Sequence, residues 1–180
     1  MALKSTSSPL EISTFATITT DATNDQFVSK SVDLQLNPLD QEVFVCTGVK
    51  IDFDRAIPVP LLNILIPSNL HQRLSVSSVR QTSYGGISSS NVLGAGQISY
   101  YLNGPANFFM HEQDGPMDTP PAEQDYLGII ATNDFFLNYS ISQDFVAGQT
   151  CTAQVRLYGY RAKADAATYA ALVQSEVLSA

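Results

Sequence analysis

Runs of alternating apolar and polar residues, separated by turn residues, dominate the hydrophobic pattern of the chain. The clearest run is residues 41–54. Every second residue is apolar except for one threonine: Val43, Val45, Thr47, Val49, Ile51 and Phe53. Lys50, Asp52 and Asp54 lie between them or just beyond them. Because successive side chains of a strand point to opposite faces, this pattern predicts a half-buried strand with the first six residues on one face.

Weaker patterns of the same kind predict further strands between turn signals. The segments are 26–36, 73–82, 97–102, 107–112, 126–131, 135–143 and 150–161. Asn103-Gly104 predicts a hairpin turn between two of them. Residues 56–69 are apolar but interrupted by prolines, which predicts an irregular or edge segment. Residues 83–96 and 115–124 are predicted loops, and seven to nine strands with frequent turns indicate a sandwich or barrel.

One segment has the period of a helix. Residues 163–178 are rich in alanine, and their larger apolar residues recur at spacings of three and four: Tyr169, Leu172, Val173 and Val177. This spacing predicts a C-terminal helix with one apolar stripe that packs on a sheet. Asp165 falls in the predicted first turn, where a negative charge is favourable. We predict a single domain over residues 1–180, with residues 1–25 as an N-terminal arm or a first strand.

The composition shows how the chain is kept soluble. It is 44% hydrophobic and carries a net charge of -8, but only 14% of its residues are charged, against about 25% in a typical soluble domain. Uncharged polar side chains therefore supply most of the polar surface. This balance excludes disorder driven by charge, a coiled coil and a basic nucleic-acid module. Residues 1–10 lack the apolar core of a secretory signal, so we expect none.

The few charges are unevenly distributed. Between residues 56 and 111 only Arg73 and Arg80 are charged. Since much of this stretch is predicted to be loop, and loops lie on surfaces, the deficit predicts a subunit interface, whose centre is typically depleted of charge. The alternative is that Ser, Thr, Asn and Gln replace charged residues, as in acidic, salt-tolerant or secreted proteins.

Basic residues are absent from a second stretch. No Lys or Arg occurs between Gln81 and Val155, whereas seven acidic residues do. Each neutralised phosphate of a nucleic acid requires a cation. We therefore expect one anionic face and no direct binding of DNA or RNA.

The residues that could carry chemistry form no complete motif. His111-Glu112 begins like a zinc-protease helix but lacks the second histidine, and His71 is the chain's other histidine. Cys46 and Cys151 are predicted to be small buried side chains, and only their distance in the fold decides whether they pair. Carboxylates in the loop Asp114–Asp125, and the pair Asp52 and Asp54, leave calcium binding open. We predict no catalytic, cofactor or metal site.

The predicted architecture resembles a known class of protein. About eight strands, long uncharged loops, no secretory signal and no catalytic set resemble the single jelly-roll major capsid proteins of small icosahedral viruses. The final run 153–180, a strand followed by an alanine-rich helix, also resembles proteins of marine viruses. The resemblance implies an all-β, single jelly-roll β-sandwich of about eight antiparallel strands with a short C-terminal helix.

The resemblance also implies a function without enzymatic activity. The chain would be a virion protein whose copies self-assemble into an icosahedral shell, with other virion proteins as further partners. Many such proteins carry an arginine-rich arm that holds the genome, and this chain has none. Genome contact would then fall to a minor capsid protein or an internal membrane. Two alternatives remain open: a β-sandwich module that binds carbohydrate or calcium on a phage fibre or cell surface, and a hydrolase that uses the acidic loop.

Overall fold

The fold is known from a computed structural model of the chain. It describes residues 3–21, 24–54, 68–89, 91–102, 108–113, 124–142 and 147–178. For residues 68–70, 100–102 and 108–113 only the backbone is described. The proline-rich segment 56–67, the Asn103-Gly104 turn and most of the acidic loop therefore lie outside the described residues.

In the described parts of the chain, ten strands form two antiparallel sheets. Sheet A contains β1 (Lys4–Ser5), β2 (Leu10–Thr19), β4 (Glu42–Phe53), β8 (Gly128–Ile130) and β10 (Thr150–Lys163). Sheet B contains β3 (Gln26–Asp33), β5 (Ser68–Ser77), β6 (Val92–Leu102), β7 (Phe108–Gln113) and β9 (Asp134–Ile141). A 3-10 helix covers Pro38–Asp40, and helix α1 covers Ala166–Leu178.

The strand order identifies the sandwich as a jelly roll. Sheet A is ordered β2-β10-β4-β8, with β1 also pairing with β10, and sheet B is ordered β3-β9-β5-β6-β7. Strands β2 to β5 alternate between the two sheets, and so do β8 to β10. In each sheet a late strand, β10 or β9, lies between two early ones. This interleaving is the double Greek key of a jelly roll, so the predicted fold class is confirmed and the barrel is excluded.

The main core lies between the sheets. The inward residues of β9 are fully buried: Phe135, Leu137, Tyr139 and Ile141. Val28 of β3 and Leu74 of β5 flank Tyr139 in one row across sheet B. From sheet A, Ile51, Val155 and other apolar side chains meet this row. The alternation that predicted strands β4, β9 and β10 therefore reflects the burial of one face of each sheet in the main core.

A β-bulge corrects the predicted face of β4. Tyr158 pairs with Gly48 and Gly159 with Cys46, so Thr47 is an extra residue without a partner on β10. An extra residue reverses the alternation beyond it. The two parts of β4 therefore bury different residues in the main core: Phe44 and Cys46 before the bulge, and Val49, Ile51 and Phe53 after it. Val43 and Val45 point to the other side of sheet A.

Helix α1 covers those outward side chains. Val43, Val45, Ala131, Ala162 and Ala164 form a second small core outside sheet A. The helix contributes Tyr169, Leu172 and Val173 to it. Val177, predicted in the same stripe, is instead 63% exposed, and Glu176 beside it is buried. The predicted packing of the helix is thus right for its first two turns and wrong at its end.

The helix begins later than predicted. Lys163 is the last residue of β10, and Asp165 precedes the helix instead of lying in its first turn. The Asp165 carboxylate accepts hydrogen bonds from Thr168 N at 2.9 Å and from Thr168 Oγ1 at 2.7 Å. This is the geometry of an N-cap, and the backbone bond lowers the pKa of Asp165. No helix in the described part of the chain is long and apolar enough to cross a membrane.

The described part of the charge-poor stretch is mostly sheet. Its described residues include β5, β6 and the first part of β7, which are neighbouring strands of sheet B. The predicted loop 83–96 ends early, because β6 already begins at Val92. The register of β6 and β7 places Leu102 opposite Phe108, so these strands are antiparallel neighbours joined by five residues instead of by a two-residue turn. The low charge therefore belongs to one sheet of the sandwich.

Candidate assembly surfaces

The face of sheet B that points away from the core is the candidate functional surface, and we call it the outer face of sheet B. Its described side chains in the body of the sheet are mostly small and polar. They are Phe27, Ser29, Ser31, His71, Arg73, Ser75, Ser77, Ala95, Gln97, Ser99, Phe136, Asn138 and Ser140. Of the residues in this list, Arg73 carries a formal charge. The acidic residues Asp33 and Asp134 lie at the strand ends. This face carries the charge deficit that the sequence showed.

A chain of hydrogen bonds holds the centre of this face. Ser29 Oγ donates to Asn138 Oδ1 at 2.7 Å, and Asn138 Nδ2 donates to Ser77 Oγ at 2.7 Å. Ser77 Oγ in turn donates to Val79 O at 2.6 Å. The chain of bonds crosses β3, β9 and β5, and both Asn138 and Ser77 are fully buried. Because these polar side chains are hydrogen-bonded to one another, they give the face a defined shape, which long, mobile charged side chains would not.

The single central charge is held within the face. Arg73 Nε donates to Gln97 Oε1 at 2.9 Å, and the guanidinium carbon lies 5.6 Å from the centre of the Tyr84 ring. Gln97 Nε2 donates onward to Ser99 Oγ. Burial raises the pKa of Tyr84, and the charge of Arg73 opposes that effect. Arg73 therefore serves as a donor within this network.

One hydroxyl of the face has no hydrogen-bond partner. Ser75 is fully buried, and its Oγ atom is one of two buried side-chain atoms without a partner in the described part of the chain. The other is Gln72 Nε2, on the core side, whose amide oxygen accepts from Tyr139 OH at 2.8 Å. An unpaired buried donor is costly, so a partner at Ser75 would be favourable.

The outer face of sheet A has the opposite character. Five charged side chains lie on it: Glu11, Lys50, Asp52, Asp54 and Arg156. Arg156 Nε lies 3.6 Å from Glu11 Oε1, and Gln154 Nε2 donates to Asp54 at 3.3 Å. Asp52 and Asp54 do share a face, as predicted, and both are exposed. Among the described residues no group of three or more His, Cys, Asp and Glu could hold a metal ion.

The two histidines fall in one row of sheet B. Ser99 pairs with His71 on one side and with His111 on the other, so one strand separates the histidines. Burial, and then the charge of Arg73, lowers the pKa of His71. The side chain of His111 lies outside the described residues. Of the acidic loop, Asp114, Asp118 and Glu123 also lie outside them, while Asp125 is exposed; calcium binding there stays a prediction.

Both cysteines are free and buried in the main core. Burial raises the pKa of the Cys46 thiol to about 12, and a backbone hydrogen bond with Gly48 offsets this only in part. Burial and the nearby Asp54 carboxylate raise the pKa of Cys151. The predicted buried position of both side chains is therefore correct, and they do not pair with each other.

We predict that both thiols of the folded protein resist alkylation. Because the thiolate is the reactive species, iodoacetamide at pH 8 should react at least about 100-fold more slowly than in urea. Mass spectrometry of the labelled protein over time measures this. Labelling of either cysteine in the native protein as fast as in urea would contradict its burial.

One anchoring residue carries no sequence signal. Glu176 Oε1 accepts from Ala131 N at 3.0 Å, and Oε2 accepts from Thr132 N at 2.8 Å. These two amides follow β8, where the chain leaves sheet A, and Glu176 is 7% exposed. The carboxylate thus fastens the end of helix α1 to the sandwich. A lone glutamate beside an apolar valine reads as a solvent-exposed helix position, which is why sequence analysis missed it.

Comparison with known proteins bears on the fold. No protein-family model matches the sequence, and no curated protein is significantly similar to it. Among solved structures, VP1 of chimpanzee polyomavirus has a TM-score of 0.45 at 8% identity over 89% of this chain and 97% of that chain. The unassembled VP1 pentamer of Merkel cell polyomavirus has a TM-score of 0.42 at 6% identity, over 91% and 99%.

A protein of desmodium yellow mottle tymovirus is also similar, with a TM-score of 0.27 at 12% identity over 89% of this chain and 93% of that chain. All three of these solved structures are of viral proteins. The assignment to the jelly-roll class does not depend on these likenesses, because the strand order defines it.

Proposed function

We propose that this protein is a structural subunit of a virion, a capsid protein whose copies associate with one another into a closed shell. The observation that carries the proposal is the outer face of sheet B, whose described side chains are almost without charge and include two fixed polar networks. Interface centres are depleted of charged residues. The jelly roll is a fold in which viral capsid subunits are built.

The contrast between the two sheets supports the assignment of this face. The charged outer face of sheet A has the composition of a surface in contact with water. The outer face of sheet B combines buried serines and an asparagine with the half-buried aromatic Phe136. Aromatic groups within an uncharged polar surface are typical of protein interfaces.

The proposal assigns no chemistry to the chain. Its function would be assembly alone, with the virion as its location and with further virion proteins as partners. The net charge of -8 disfavours direct contact with nucleic acid. Genome contact would fall to a minor capsid protein or an internal membrane. The carbohydrate- or calcium-binding module remains the alternative, but no described residue cluster favours it over assembly.

A charge placed on the outer face of sheet B should block assembly. Ser31 is exposed on this face, close to Asp33, so a lysine there should not disturb folding. We expect purified protein to form multimers at high concentration, and Ser31→Lys to lower the association constant at least about tenfold, equivalent to about 1.4 kcal/mol. Sedimentation velocity and negative-stain microscopy measure this.

The matched control is Gln154→Lys. Gln154 is equally exposed, and also lies near acidic residues, but on the outer face of sheet A. Its association constant should stay within about twofold of the unmodified protein. A monodisperse monomer at high concentration would contradict the proposed function. Equal losses in both variants would contradict the assignment to sheet B.

A further inference from the structure

Strand β2 is a long edge strand with one unpaired side. It runs over ten residues, Leu10–Thr19, and among the described strands it pairs only with β10. Beyond its end, Thr20 exchanges backbone hydrogen bonds with Gly148 and Gln149 on the side of β10. Because backbone groups of a strand alternate in direction, the even-numbered residues of β2 bond to β10. The N–H and C=O groups of its odd-numbered residues point to the free edge.

The sequence of β2 itself lacks the usual features that keep an edge strand from pairing with another chain. Natural edge strands are kept single by proline, lysine, bulges or short length. β2 contains neither proline nor lysine, and its register with β10 is continuous. Its outward side chains are all exposed: Glu11, Ser13, Phe15, Thr17 and Thr19. In contrast, β8 at the other edge of sheet A has only three residues.

One contact from outside the strand reaches this edge. Lys30 Nζ of β3 donates to Phe15 O at 2.6 Å and lies 4.5 Å from the centre of the Phe15 ring. The Phe15 side chain is 52% exposed despite this contact. A carbonyl oxygen has two lone pairs, so Phe15 O can accept a second hydrogen bond while Lys30 stays in place.

We propose that β2 pairs antiparallel with β2 of a second copy of this chain, so that sheet A continues across two subunits. The inference rests on the proposed function, because it names one contact by which copies associate. A two-fold axis beside Phe15 places the two Phe15 residues opposite each other. It also places Ser13 opposite Thr17 and Glu11 opposite Thr19, and this register pairs all five odd-numbered residues.

The pairing is self-complementary in charge and in shape. Glu11 is the only charged residue of the strand, and in this register it faces a threonine instead of another carboxylate. Its charge is partly neutralised within its own subunit by Arg156. On the inner side, Ile12 lies opposite Ile18 and Thr14 opposite Ala16. Apolar and aromatic cross-strand pairs of this kind are favourable, and a two-fold contact of identical patches closes on itself.

A cross-linking experiment tests the register. In Phe15→Cys, the two introduced thiols would meet at the axis, at a Cα separation of about 5.5 Å that a disulfide spans. We expect mild oxidation to convert most of this variant to a disulfide dimer on a non-reducing gel. Cys46 and Cys151 are buried and should not contribute. In Ser13→Cys alone, the thiols lie apart, and about tenfold less dimer should form.

A second variant keeps the test independent of disulfide chemistry. Thr17→Pro removes an N–H at the free edge but none that bonds to β10, and proline is tolerated at such edge positions. We expect this variant to weaken dimerisation at least about 100-fold, while Thr17→Val, which keeps the N–H, retains it. Equal cross-linking of Ser13→Cys and Phe15→Cys, or unchanged dimerisation in Thr17→Pro, would overturn the β2 contact. If multimers still form, the proposed function survives that result; a protein that is monomeric throughout would refute both.

Discussion

Gly159→Ala is expected to lower the free energy of unfolding by about 3 kcal/mol or more, the upper range for an overpacked core. A Cβ atom at this position would collide with the carbonyl oxygen of Val45 and come within 2.6 Å of two carbons of the Phe44 ring. The carbonyl belongs to the bulged part of β4, which pairs with β10 at this point. Relief would require the two strands to separate.

The matched control for this prediction is Gly86→Ala. A Cβ at Gly86 meets no atom within 4 Å, so its unfolding free energy should change by no more than about 0.5 kcal/mol. Urea unfolding followed by circular dichroism gives both values from the midpoint and the slope. Equal midpoints for the two variants would show that the close approach at the bulge is not as described.

Glu176→Ala is expected to destabilise the protein by about 2–3 kcal/mol, the usual range for losing hydrogen bonds to a charged group and leaving their donors unpaired. The change leaves Ala131 N and Thr132 N without their acceptor. The end of helix α1 should then detach from the sandwich. Hydrogen exchange at these two amides, together with urea unfolding, measures both effects. Glu176→Gln should destabilise the protein less than Glu176→Ala does, because the amide keeps one oxygen that can accept a hydrogen bond.

The neighbouring residue provides the control. Val177 is 63% exposed, so Val177→Ala should change the unfolding free energy by no more than about 0.5 kcal/mol. The apolar pattern of the helix predicts the reverse order, with the valine more important than the glutamate. If Val177→Ala lowered the unfolding free energy more than Glu176→Ala did, the result would contradict the burial of Glu176 and agree with the apolar pattern.

Strong local patterns predicted the elements well. The alternation around Val49 and Ile51 marked β4, and the two strands before the helix, β9 and β10, begin within one residue of their predicted starts. These patterns succeed because one face of each strand is buried in the main core. The aromatic residues of β9 show the same alternation: Phe135 and Tyr139 are in the core, whereas Phe136 lies on the outer face of sheet B.

One error concerned which side chains of a strand point to the core. Thr47 adds a position to β4, and no sequence pattern distinguishes an extra residue in a bulge from a regular member of the alternation. The frequent glycine and serine residues also predict that much of the charge-poor stretch is loop, whereas most of its described residues lie in β5, β6 and β7. Glycines in β6 instead allow close packing; at Gly96, a Cβ would lie 3.3 Å from side-chain atoms of Ile51 and Phe53.

The sequence by itself determined the all-β class, the C-terminal helix and the location of the charge deficit along the chain. These properties depend on the order of apolar, polar and charged residues, which local periodicity reveals. Only the tertiary structure decided that β5, β6 and β9 join their uncharged residues into one face, and that Glu176 is buried. Those outcomes depend on which distant strands become neighbours, and the alternation of a strand carries no information about its partners.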